Sequence, residues 1–150
     1  MLTDLLKPEL VACHVEASDW EEAIKACGKL LVDAGKCDQS YVDAMISSVH
    51  KFGPYMVLEE GIAMPHANVP ELQAPFMALI RLKKPIDFEA IDGLPVDIAF
   101  LVLSPSTKGA SHLSILASIA RSARSAPWLR AVRQAASPAA VHGLLAGIAN

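Results

Sequence analysis

Apolar positions change their spacing along this chain from a helical period to near-continuous runs and back again. Residues 10–15 form a short apolar stretch that reads as a strand. Ser18-Asp19-Trp20-Glu21 then has the spacing of a capping box, in which a hydroxyl and a carboxylate three residues apart bind each other's backbone N–H. Behind it Trp20, Ile24, Cys27, Leu30 and Leu31 recur at helical spacing, and Gly35 supplies the stop. Asp38 stands at the start of a second helix whose apolar face runs Val42, Met45, Ile46, Val49, and Gly53-Pro54 ends it. Residues 56–58 and 62–64 read as short strands on either side of Gly61. Two longer runs follow at 76–82 and 97–103, the second almost wholly apolar and so expected to be buried on both faces. Helical spacing returns after Gly109-Ala110-Ser111, with Leu113, Leu116, Ile119 and Ala123 expected inward. Pro127 and Pro138 occupy first-turn positions of two more helices. Helices before and after a set of strands predict an α/β fold, a mixed central β-sheet sandwiched between helices on both faces. In such a sheet ligand chemistry belongs at strand ends.

Composition narrows the classes. Apolar residues make up 53% and charged residues 19%, which excludes disorder. The longest apolar runs, at 76–80 and 98–103, fall far short of a bilayer span. The N-terminus, Met1-Leu2-Thr3-Asp4-Leu5-Leu6-Lys7-Pro8, has an early acidic residue and no long apolar core, so a signal peptide is not expected. A length of 150 residues predicts one domain over 1–150 with a sizeable core. Cys13, Cys27 and Cys37 make no CxxC pair and no even set, which fits free thiols in a reducing compartment, the cytoplasm. A formal charge of −3, with no basic run interleaved by aromatics, argues against nucleic acid.

Chemistry centres on Gly61-Ile62-Ala63-Met64-Pro65-His66-Ala67. Three apolar residues run into a proline, which has a fixed φ and no N–H, so strand pairing is expected to stop there. His66 is then delivered at a strand end, as a nucleophile, a general base or a metal ligand, or as a turn histidine of no consequence. Ser111 suits an N-cap, which would put His112 in a first helical turn, beside unpaired N–H groups that welcome an anion. His142 beside Val141 and Leu144 reads as a boundary residue, and His14 after Cys13 is too little for a dyad. The chain has no GxxxxGK[ST] or GxGxxG phosphate cradle, and no HExxH or Cys/His metal spacing. Ser104-Pro105-Ser106-Thr107-Lys108 is a polar loop and no nucleophile elbow, and Glu59-Glu60 are neighbours that point different ways. A metal-dependent hydrolase built on His50, His66 and His112 lacks a carboxylate ligand at a persuasive spacing.

The 61–67 segment has company. Lys84-Pro85-Ile86-Asp87-Phe88 follows the 76–82 strand, Pro95-Val96-Asp97 precedes the apolar one, and Ser111-His112-Leu113 opens a helix. Together these resemble the enzyme IIA domains of the mannitol/fructose class (type 2), from the bacterial phosphoenolpyruvate-dependent sugar phosphotransferase system. The similarity spans nearly the whole chain. It implies a phosphoryl carrier: the family histidine, matched by His66, takes a phosphoryl group from phospho-HPr. It passes the group to a cysteine of an enzyme IIB domain for sugar uptake and phosphorylation. The second active-site histidine of the family is matched by His112. Attack requires neutral imidazole, with one ring nitrogen held by a fixed acceptor. Positioning and charge stabilisation, from His112 and its helix N-terminus, would do the rest.

The resemblance implies no cofactor and no metal. Its partners are HPr and enzyme IIB, with a membrane transporter reached only through IIB/IIC, and a homodimer is left open. Many relatives carry an Arg-Glu pair at the end of the second helix. Counting back from His66, this chain has His50-Lys51 there, a source of positive charge without the guanidinium fork. Gly53-Pro54-Tyr55 resembles the ascorbate-type branch. Ala90-Ile91-Asp92-Gly93-Leu94-Pro95-Val96-Asp97 resembles fructose-type and nitrogen-regulatory members. The alternative to sugar transport is therefore a nitrogen-regulatory enzyme IIA, whose phosphorylation state controls partner proteins.

Overall fold

The two longest apolar runs form the middle of a sheet, as their composition requires. The structure, a computed structural model, describes residues 5–53, 56–58, 61–69, 72–90, 92–105 and 109–145, without the side chains of 69 and 109–112. The elements run β1 (Val11–Val15), α1 (Trp20–Asp33), α2 (Gln39–Phe52), β2 (Ile62–Ala63), β3 (His66–Val69), β4 (Phe76–Ile86), β5 (Val96–Pro105), α3 (Gly109–Ala123), α4 (Ala126–Gln134) and α5 (Pro138–Leu145). The strand order is β1-β4-β5-β2, with β3 continuing along β5 beyond β2. β1 runs parallel to β4, β4 antiparallel to β5, and β2 and β3 parallel to β5. From Ile98 to Leu103 no residue is more than 1% exposed, because β5 has strands on both edges and helices over it. The sheet is mixed and sandwiched between helices: α1 and α2 pack together, α3, α4 and α5 pack in series, and both groups touch strands.

Local signals explain most boundaries, with shifts of a residue or two. The cap of α1 is Asp19, whose Oδ1 accepts from the Glu22 N–H at 2.9 Å, while the Ser18 N–H donates to Glu22 Oε2 at 2.7 Å. The box is therefore set one residue later than Ser18 and Glu21 suggested, leaving Glu21 available to α2. Gly35 ends α1 at φ +72, a left-handed conformation that costs glycine little. The two helices touch so closely at Gly28 that a Cβ there would lie 2.6 Å from Val42 Cγ2. Residues 56–58 contribute a single bridge, Val57 to Ala63, and no strand. β4 and β5 extend beyond the expected limits.

The inward face of α3 also differs from expectation. Leu113 is 67% exposed, while Ile115, Ile119 and Ala123 carry the buried stripe at four-residue intervals. Ser118 joins that stripe, buried, because its hydroxyl donates to the Ser114 carbonyl at 2.9 Å and needs no outside partner. A hydroxyl satisfied within its own helix reads as polar in a sequence and behaves as small and neutral in the core.

Cys27 lies wholly inside, and burial pushes its thiol from 9.0 up to about 12, partly offset by the backbone of Leu101 and Ile80. The consequence has a sign. Below pH 9.0 neither folded nor unfolded thiol is ionised; between there and about 12 the unfolded chain gives up a proton that the folded chain keeps. Stability from this group is full below that window and is lost as pH rises through it. In urea unfolding, the margin of wild type over Cys27→Ala should shrink as pH climbs across the window. A constant margin would contradict the burial.

Candidate functional site

Pro65 does not take the chain out of the sheet. β2 pairs with β5 through Ala63 and Ala99, and β3 resumes in the same register with His66 opposite Val102. Between them the Pro65 carbonyl accepts from the Val102 N–H at 2.9 Å. Proline lacks only the donor; its carbonyl faces β5, so its nitrogen does too, and one ladder bond is lost there while pairing continues on either side. The expectation that pairing stops at Pro65 is thereby corrected: His66 opens a second strand segment and does not leave the sheet. It is half-buried, between the buried Met64-Pro65 pair and the exposed Asn68.

The ring is tied to its own strand. His66 Nδ1 lies 2.8 Å from the Met64 carbonyl oxygen. A carbonyl can only accept, so Nδ1 carries the proton and donates, and in the neutral ring the lone pair sits on Nε2. The acceptor is backbone, two residues away, in the buried Met64-Pro65 link between two segments registered on β5. Orientation and tautomer are thus set by the same contact.

The remaining expected site residues fall into two groups. α3 begins at Gly109, so Ser111 stands inside the first turn instead of capping it, a correction; His112 is the fourth helical residue. Both side chains lie outside the described residues, as do Glu59-Glu60 and the 106–108 part of the polar loop. β5, on which His66 pairs at Val102, finishes at Pro105, and α3 begins four positions later at Gly109. His50 is engaged elsewhere. Its Nε2 donates to Glu21 Oε1 on α1, and its ring lies 4.9 Å from that of Trp20. Lys51 stands over the exposed ring of Phe52, with Nζ 5.2 Å from its centre. The described contacts of this pair are with α1 and with Phe52, so the charge of His50 is balanced by a carboxylate when the ring is protonated.

Residues 4–147 match the family model described as "Phosphoenolpyruvate-dependent sugar phosphotransferase system, EIIA 2". The chain belongs to that family. The nitrogen regulatory protein of Bradyrhizobium diazoefficiens is 32% identical over 145 residues, 97% of this chain and 94% of that one. The ascorbate-specific PTS system EIIA component of Escherichia coli is 38% identical over 95 residues, 63% of this chain and 62% of that one. The crystal structure of the nitrogen regulatory protein IIA-Ntr from Neisseria meningitidis superposes with a TM-score of 0.88, covering 96% of this chain and 98% of its own. At 23% identity that likeness speaks for the fold.

This EIIA chain also holds charged groups that sequence reading missed. Arg133 on α4 grips Asp97 at the start of β5 with two parallel bonds, Nε to Oδ2 at 2.8 Å and Nη2 to Oδ1 at 2.9 Å. Arg81, 7% exposed on β4, donates from Nη1 to the Val132 and Ala135 carbonyls at the end of α4. Only the pairing partners could have revealed these, since nothing in the local spacing links Arg133 to Asp97. No group of three or more His, Cys, Asp or Glu among the described residues could hold a metal ion. No helix among them is long and apolar enough to cross a membrane. One measurement checks the ring geometry: in neutral EIIA, imidazole ¹⁵N shifts should report protonated Nδ1 and unprotonated Nε2 at His66. The opposite tautomer would break the link to Met64.

Proposed function

We propose that this EIIA chain is a phosphoryl carrier that takes the group from phospho-HPr on His66 Nε2 and passes it to the cysteine of an enzyme IIB domain. The observation that carries the reading is the Nδ1–H bond to the Met64 carbonyl, which leaves the attacking lone pair on Nε2. In the forward step the Nε2 pair forms the N–P bond while the N–P bond to HPr breaks, and the charge of the phosphoryl oxygens is met by fixed donors. The imidazolium-like ring that results keeps its Nδ1 proton on Met64, which spreads the positive charge onto a backbone dipole. In the return step a IIB thiolate attacks phosphorus and the pair goes back to Nε2. His112, in the first turn of α3, and the N–H groups of that turn would supply donors to the transferring group.

A sugar-uptake role draws on the ascorbate relatives. The regulatory role draws on a different observation, the match to a nitrogen regulatory protein over almost the full length of both chains. Transfer to a IIB domain separates the two, since a purely regulatory member would load phosphate without passing it to a transporter.

Two outcomes test the carrier. With phosphoenolpyruvate, enzyme I and HPr, the protein should gain one acid-labile, base-stable phosphoryl group, and ³¹P–¹⁵N couplings should place it on Nε2 of His66. His66→Ala should gain none; normal labelling of that variant would sink the proposal. His112→Ala should still load from HPr but deliver poorly to a IIB domain, with a loss on the order of 10²–10³-fold if it supplies a transition-state donor. Unchanged delivery would leave His112 a helix residue without a catalytic part.

A further inference from the structure

The sheet is irregular at the end away from His66. β1 shifts register against β4 between Ala12 and Val15, and His14, inside that shift, has φ +58. β4 shifts against β5 between Arg81 and Ile86. Such bulges splay side chains that a regular pleat would stack. A cavity of about 240 Å³ opens where they meet, lined by His14, Arg81, Lys83, Asp97 and Arg133 among others. Asp97 lies five positions before Val102 on β5, roughly 17 Å along the strand from the partner of His66. This is a separate place on the molecule.

The charges around it do not cancel. Asp97 takes both prongs of Arg133, and Lys83 pairs with Glu16 at 3.1 Å, outside the lining. Arg81 has no carboxylate among the described residues, only the two carbonyls that Nη1 reaches. Its Nε and Nη2 make no hydrogen bond there, yet no side-chain nitrogen or oxygen shut off from solvent lacks a partner. Those two nitrogens are therefore not sealed from solvent, and the cavity is an opening that Arg81 lines. Arg81 is 7% exposed, and a guanidinium whose Nε–Nη2 edge is left for a cavity presents the geometry that binds two oxygens of one carboxylate or phosphate. Capping α4 accounts for Nη1 and leaves that edge unexplained. The volume is below that of pockets for drug-sized ligands, so the occupant is small.

We infer that this cavity is a binding site for a small oxyanion, a carboxylate or phosphate group seated on the Nε–Nη2 edge of Arg81 with Lys83 beside it. The inference does not rest on the carrier role of His66. It is tested by ¹H–¹⁵N titration of the full chain with inorganic phosphate and, separately, with succinate, each against a chloride control. Saturable shifts are expected at amides 12–16, 81–86 and 131–135, and they should persist in His66→Ala. The arm that saturates at lower concentration identifies the oxyanion. Arg81→Lys keeps the charge but loses the fork and should weaken binding about tenfold. Lys83→Gln should weaken it as well, and decides the matter if Arg81→Lys does not fold. Shifts confined to 64–69, no saturation beyond the chloride control, or affinity unchanged in the folded variants would overturn the inference.

Discussion

Everything in this molecule is referred to β5. A strand that is apolar on both faces has to be covered on both, and one paired along both edges has to sit inside a sheet. Helices over it and strands beside it follow from those two demands. β5 pairs with β2, β3 and β4, and its central residues are sealed from water. The parts that face partners are held by parts that cannot move without exposing that strand.

His66 illustrates the economy of the arrangement. It lies on the outermost described strand, where the ring is half-buried, yet its backbone is registered on Val102 in the sealed interior. Met64 and Pro65 are buried immediately before it, so the carbonyl that receives Nδ1–H is itself immobilised. A phosphoryl acceptor, the role proposed for His66, has to be accessible to large partners and still present a single nitrogen. An edge strand supplies the access, and a main-chain acceptor two residues away supplies the choice of nitrogen.

The other end of the sheet is fastened differently. Arg133 joins α4 to the start of β5, and Gly61 passes so close that a Cβ would lie 2.9 Å from the Pro95 oxygen and 3.0 Å from Arg133 Nη2. With φ +81 as well, Gly61 meets both requirements that exclude a side chain. Arg81 holds the carboxyl end of α4, where the unpaired carbonyls and the negative end of the helix dipole favour a cation. Two arginines thus bind one short helix to two neighbouring strands.

The order of helices and strands and the buried character of β5 were legible in the chain, because hydrophobic period and punctuation by glycine and proline are local. The error at Pro65 came from the same locality. A missing N–H removes one ladder bond, and pairing resumes where the residues on either side still meet their partners, which depends on the strand alongside. Leu113 looked like core, and the facing of α3 left it exposed while burying Ser118. His50 was expected near the phosphoryl site from the resemblance alone, but its partner Glu21 lies 29 residues back, on another helix. The Arg133–Asp97 clamp and the open edge of Arg81 likewise join residues far apart in the chain. The sequence by itself determined the helices, the longer strands and the core faces of α1 and α2, since these follow from side chains a few positions apart. Which nitrogen of His66 carries the proton, and which charges meet, only the tertiary structure decided, because those depend on contacts that exist once the strands are in register.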